Sequence, residues 1–228
     1  MIKHLLPLAL LTLGFCQFAE ARTQEEQQSM TPQEVLDALM AGNQRFQKNH
    51  GTNRDLLSEA EKTATAQYPI AAVVSCLDSR VPVEIIFDQG IGDIFVGRVA
   101  GNVENEDMVG SLEFATAASG SKLILILGHE SCGAVAGAIN NVELGNLTQL
   151  LEKIAKSEKH VHGVEEPHTA DNPAYLNAVT EANVMRTMDV IRKMSPTIAA
   201  MEKKGDIIIV GAMYSLADGK VTLLKSKE

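Results

Sequence analysis

Four apolar runs constrain this chain most: PIAAVVS (69–75), DIFVGRVA (93–100), KLILILGH (122–129) and DIIIVGAMYS (206–215). A strand exposed on one face would alternate apolar with polar residues, whereas these are nearly continuous, so they belong to a sheet covered on both faces. The segments between them are long enough for helices, and Leu147, Leu150, Leu151 and Ile154 recur at the helical interval. The fold class that follows is α/β, with a central, mostly parallel sheet flanked by helices. Ligands of such sheets collect outside the carboxyl ends of the strands.

Two of the runs end on reactive side chains. In VVSCLDSRVP (73–82), Cys76, Asp78 and Arg80 stand at alternate positions, which in an extended chain share one face. In KLILILGHESCGAVAGA (122–138), His129 and Cys132 lie three apart, before a small-residue helix. Each piece has an ordinary reading: a buried cysteine is a small hydrophobe, an Asp with a nearby Arg is a surface ion pair, and a histidine in a turn is hydrogen-bonded there. Cys76 and Cys132 could form a disulfide, and His129 with one cysteine could be a hydrolase pair. Neither explains why Asp78 and Arg80 stand beside Cys76. Cys, Asp, His and Cys are all competent zinc ligands, and as a set of four they are far more specific than any pair. The glycines from Gly133 to Gly137 do not complete a dinucleotide fingerprint.

The chain's 228 residues without internal repeat suit one domain, residues 31–228, with an N-terminal helical arm. Residues 1–21 read as a cleaved export signal: Lys3, an apolar run from Leu5 to Phe18, and Ala19-Glu20-Ala21 as the small-x-small cleavage pattern. That run is shorter than the ~20 residues of a spanning helix. The expectation is a periplasmic protein with no membrane contact after cleavage. Removing the segment takes away one lysine and one glutamate, so the formal charge stays at −9 and nucleic acid is excluded as a natural partner. The mature chain keeps only Cys76 and Cys132, either as a disulfide or as held thiolates. Residues 22–30 are polar and expected to be disordered. Thr31-Pro32 reads as a cap and first helical residue of a helix to about Asn49. SEKHVHGVEEPHTADNP (157–173) reads as a surface loop whose His160, His162 and His168 are solvated rather than metal-bound.

The C-x-D-S-R of Cys76 to Arg80 and the H-x-x-C of His129 to Cys132 resemble the zinc signature of β-class carbonic anhydrases. The similarity extends over Gly42-Asn43-x-Arg45-Phe46, Gln67-x-Pro69, Arg98-x-Ala100-Gly101-Asn102 and Gly211-x-x-Tyr214. It implies reversible hydration of CO2 to bicarbonate and a proton, with one Zn2+ per subunit held by Cys76, His129 and Cys132 and, in closed forms, Asp78. Asp78 and Arg80 would form the catalytic dyad, the arginine drawing the carboxylate off the metal. Gln67, Phe95, Ala100 and Gly133 would bind substrate, Gln67 from across the interface of a homodimer or a tetramer built of dimers. Phe114 stands where the family often has tyrosine, and Ala100 is smaller than the usual valine. Members gated by bicarbonate carry a tryptophan before the first ligand; this chain has none, and Val73 occupies the place, so the open type is expected. Two rivals remain at this point: hydrolysis of carbonyl sulfide or carbon disulfide at the same centre, and a purely structural zinc site.

Overall fold

The apolar runs become strands β1 (Ala71–Ser75), β2 (Ile94–Arg98), β3 (Leu123–His129) and β4 (Ile208–Tyr214), joined by a short β5 (Val221–Leu223). The structure, a computed structural model, describes Ala19 and residues 21–225. The expected export signal therefore lies outside the described residues, apart from Ala19 and Ala21. The order is β2-β1-β3-β4-β5; β1 to β4 are parallel and β5 is antiparallel to β4.

The helices are α1 (Gln24–Ser29), α2 (Pro32–Gln47), α3 (Leu56–Thr63), α4 (Val83–Ile86), α5 (Glu106–Glu113), α6 (Gly133–Ile139), α7 (Gly145–Ala155), α8 (Pro173–Met194) and α9 (Pro196–Lys204). Alternate strand residues divide them between two faces. Ala71, Val73, Leu123, Leu125 and Leu127 pack with Val35, Leu36 and Leu39 of α2. Ala72, Val74, Ile124 and Ile126 pack with Val184, Met188 and Ile191 of α8. For β1, β3 and β4, burial on both sides is why the sequence shows no alternation; β2, expected to be covered likewise, is instead a half-buried to exposed edge strand. A third apolar cluster, formed by α6, α7 and the start of α8, closes around Cys76 and Cys132 beyond the strand ends.

Residues 22–30 are not disordered. Thr23 and Glu26 make a reciprocal capping box that starts α1, and the buried Gln27 donates its Nε2 protons to the carbonyls of Pro69 and Ser119, both at 2.8 Å. Polarity alone misled here, because T-x-x-E is a helix-start signal and one glutamine can be buried when its donors are met. Between α7 and α8 the chain carries a single 3-10 turn, Glu158–His160, in an otherwise irregular loop. His168 stacks on Tyr175 with ring centroids 4.6 Å apart and donates from Nε2 to the Val164 carbonyl. Among the described residues, no helix is long and apolar enough to cross a membrane.

Candidate metal centre

The two sequence signatures meet at the carboxyl ends of neighbouring parallel strands. Ser75 of β1 pairs with Leu127 of β3, so the chains leave the sheet side by side and Cys76 comes opposite His129 and Cys132. Ser131 takes a left-handed conformation (φ 52°), which turns the chain so that Cys132, next to the start of α6, faces back toward His129. The ligand atoms of Cys76, His129 and Cys132 all lie within 4.8 Å of one another and all three residues are buried. Among the described residues this is the one such group of three His, Cys, Asp or Glu; His160, His162 and His168 make none.

The donor atoms are free to bind a cation. The sulfurs stand 3.9 Å apart as separate thiols, which removes the disulfide alternative for the structure described here. The His129 Nδ1 lies 2.8 Å from the Glu130 carbonyl; a carbonyl only accepts, so Nδ1 carries the proton and Nε2 presents its lone pair. Nε2 is buried and has no hydrogen-bond partner. The Cys132 thiol holds the Cys76 sulfur well below the ordinary thiol range, against the cost of burial. The same contact, with burial, pushes Cys132 up. Two sulfurs thus share one proton, and a second negative charge needs a cation beside it. Burial depresses the His129 pKa, but the negative Cys76 sulfur outweighs it.

Asp78 is held beside these ligands rather than among them. Arg80 donates from Nε to Oδ1 (2.9 Å), from Nη2 to Oδ2 (2.7 Å) and from its backbone N–H to Oδ1 (2.9 Å). These bonds keep the carboxyl well below the usual carboxylate range. Its Oδ2 still reaches within 3.9 Å of His129 Nε2.

Of the remaining expected residues, Ala100 and Gly133 adjoin Gly101 and Cys132 at this centre, whereas Phe95, paired with Ala72 four residues before Cys76, and Gln67 do not reach it within one chain. Phe95 is half-buried in the middle of β2 and meets the exposed ring of Phe114 edge-on at 6.0 Å. Ala100 opens the 3-10 turn Ala100–Asn102, and Gly133 opens α6 with open space where a Cβ would stand. Gln67 is not brought to the cluster within one chain. It is exposed before the start of β1, whereas the ligands lie past its end, and five residues at about 3.3 Å each separate the two.

Two contributors went unassigned in the sequence reading. The Gly101 N–H donates to the Cys76 sulfur at 3.3 Å, and the Gly101 carbonyl accepts from the buried Asn183 amide. Arg98, ending β2, donates to the carbonyls of Cys76 (3.0 Å), Leu77 (3.3 Å) and Asp78. Only the Arg98-x-Ala100-Gly101-Asn102 pattern pointed to this stretch, without saying what it touches.

Residues 71–221 match the family model described as "Carbonic anhydrase". Carbonic anhydrase 2 of Mycobacterium tuberculosis (strain H37Rv) is 33% identical over 198 residues, covering 84% of this chain and 92% of that protein. The carbonic anhydrase of Mycolicibacterium smegmatis is 35% identical over 201 residues, covering 84% and 93%. Among solved structures, the β-carbonic anhydrase CafA of Aspergillus fumigatus superposes with a TM-score of 0.65 at 25% identity, covering 85% of this chain and 92% of that one. With its paired thiols, buried imidazole and arginine-held carboxylate at the strand ends, this chain belongs to the β-class carbonic anhydrases.

Proposed function

We propose that this carbonic anhydrase is zinc-dependent and hydrates CO2 reversibly to bicarbonate and a proton through Cys76, His129, Cys132, Asp78 and Arg80. The observation that carries the reading is a three-ligand cluster standing beside a carboxylate that an arginine holds by two side-chain bonds. The donor set fits zinc. Two Zn–S bonds of about 2.3 Å at a tetrahedral angle would put the sulfurs about 3.8 Å apart, close to the 3.9 Å found, and the orphaned Nε2 supplies the third donor.

When bound, zinc acts as a Lewis acid that lowers the pKa of a coordinated water from about 15.7 to about 7. The chain's own residues do the rest. Arg80 fixes the Asp78 carboxylate as an anion, so Asp78 accepts a hydrogen bond from the attacking oxygen and aims it, rather than competing for the metal. Keeping that third negative group off two thiolates also preserves the electron-withdrawing power of the centre. Ala100, next to the Gly101 that bonds the Cys76 sulfur, contributes apolar surface suited to a small nonpolar gas.

The same reading includes a homodimer through β2, with Gln67 supplied to the neighbouring subunit's site, and export of the chain on the pattern of residues 1–21. The decisive experiment is zinc content per subunit combined with stopped-flow CO2 hydration before and after chelation and zinc return. One zinc per subunit with activity that follows the metal is expected. Rapid sulfide release from carbonyl sulfide beside negligible CO2 hydration would overturn the substrate.

A further inference from the structure

We propose that Arg98 is a positioning residue for the reaction, a guanidinium clamp on the three successive carbonyls of Cys76, Leu77 and Asp78 that sets where the Cys76 sulfur and the Asp78 carboxylate sit. The inference rests on the carbonic anhydrase reading but concerns a residue to which that reading gives no role.

The need for a clamp follows from topology. Ser75 is the last β1 residue with partners on both sides, Arg98 on β2 and Leu127 on β3. Beyond it the chain leaves the sheet, yet within three residues it must deliver a sulfur and a carboxylate to fixed points. A loop held only by water-facing carbonyls would rotate about its own backbone. Arg98 removes that freedom. Paired with Ser75, it starts its side chain at the mouth of the loop, and its Nε and Nη2 reach the Cys76, Leu77 and Asp78 carbonyls. The Asp78 carbonyl also accepts from Val81 N–H at 3.1 Å, closing the turn.

Asp78 is thus gripped at both ends by different arginines: its carboxylate by Arg80 and its backbone by Arg98. Arg80 is itself only two residues further along the same loop, so its hold orients the carboxylate relative to the loop, not to the protein. Arg98, on β2, ties the loop to the sheet. The same β2 exit supplies the Gly101 N–H to the Cys76 sulfur, and Gly101 is fixed in turn by Asn183. One short stretch, 98–101, therefore holds the Cys76 loop at its carbonyls and at its sulfur. Arginine is required for the first task because its planar fork presents several donors at fixed angles, whereas an ammonium is a single point.

The test compares the zinc-loaded wild type with Arg98→Met, which keeps the stem and removes every donor, and Arg98→Lys, which keeps the charge. We expect Arg98→Met to retain one zinc per subunit and to stay fully folded at the assay temperature with a modestly lowered unfolding midpoint, to lose 10- to 100-fold in kcat/KM, and to exchange amide hydrogens in residues 76–82 at least about tenfold faster. Arg98→Lys is expected to recover only part of either loss. Wild-type kcat/KM and exchange in Arg98→Met would overturn the clamp. So would full rescue by lysine, which would make the role one of charge alone. A fall in kcat/KM fully accounted for by an unfolded or metal-free fraction at the assay temperature would also overturn it. If Arg98→Met does not fold, Arg98→Lys decides by the same exchange and rate measurements. Should the wild type itself hydrate no CO2, the functional reading fails, while the exchange of residues 76–82 still decides whether Arg98 holds the loop.

Discussion

Under the proposed function, the Asp78–Arg80 ion pair is what would separate a catalytic centre from a structural one. A closed structural site has no use for a cation drawing an acidic neighbour aside, whereas a centre that must bind water does. Arg80→Ala is therefore expected to keep zinc and fold while losing about 100-fold in activity, the upper range for groups that orient a metal site; metal analysis beside stopped-flow assays checks both halves. Activity within a few-fold of wild type in the zinc-loaded variant would contradict the dyad. Cys76→Ser should behave in the opposite way, losing the metal first, because it removes a donor rather than its neighbour's guide. At this scale the side chains with distinctive chemistry were legible from spacing alone: Cys76, Asp78, Arg80, His129 and Cys132 all converge. Arg98 and Gly101 were not legible as contributors. They act on the backbone or sulfur of another strand's loop, and no residue-type pattern says which carbonyl a guanidinium will meet.

At the scale of elements, the Gly42-Asn43-x-Arg45-Phe46 stretch turns out to be a docking device that seats α2 against the rest of the fold. A Cβ on Gly42 would lie 1.8 Å from the Phe87 carbonyl oxygen, so α2 approaches the end of α4 closer than any other residue allows. Asn43 donates to the carbonyls of Ile86 and Gly219 and accepts from Val221 N–H, which fixes β5 at its start. Gly42→Ala is expected to destabilise by about 3 kcal/mol or more, the upper range for overpacking, read as a lowered urea midpoint; an unchanged midpoint would mean that the contact relaxes freely. Asp88, at the same junction, adds a pH dependence. Burial raises its pKa, but Thr52 and Arg45 more than offset this and hold it below the usual 3.8. With the folded value depressed, its contribution is complete above the unfolded pKa and disappears as pH falls through the folded one. Asp88→Asn should thus cost stability at neutral pH, and the gap from wild type should narrow below about pH 4. β1, β3 and β4 were readable because burial on both faces leaves an unbroken apolar run, and β2, half-buried at the sheet edge, through its Ile94-Phe95-Val96 core. The three-residue β5 was not, since its pairing depends on Asn43, remote in sequence.

Viewed as a whole molecule, the sheet has unequal edges. β5 ends one side with only three residues, short enough to discourage further pairing. β2 ends the other with five half-buried or exposed residues beside a groove of about 940 Å3 that includes Phe95, Val96, Met108 and Phe114, and the Phe114 ring is 57% exposed. An apolar edge of this kind invites association. A second copy suits it best, because the Cys76, His129 and Cys132 cluster lies at the end of β1, next to β2, while Gln67 is stranded at the other end of β1 in its own chain. A two-fold pairing across β2 would let each chain lend the other what it cannot place by itself, and near such an axis a residue meets its own copy. Phe114→Lys would then set like charges against each other and remove an aromatic anchor, costing about 3 kcal/mol or a 100-fold weaker dimer. Sedimentation at micromolar concentration is expected to show dimers for wild type and monomers for the variant. Since all three metal ligands belong to one chain, the monomer should keep its zinc yet lose most of its CO2 hydration. A fully active Phe114→Lys dimer would mean that the β2 edge is not the subunit contact, and a fully active monomer would mean that no residue of a second chain is needed at the site.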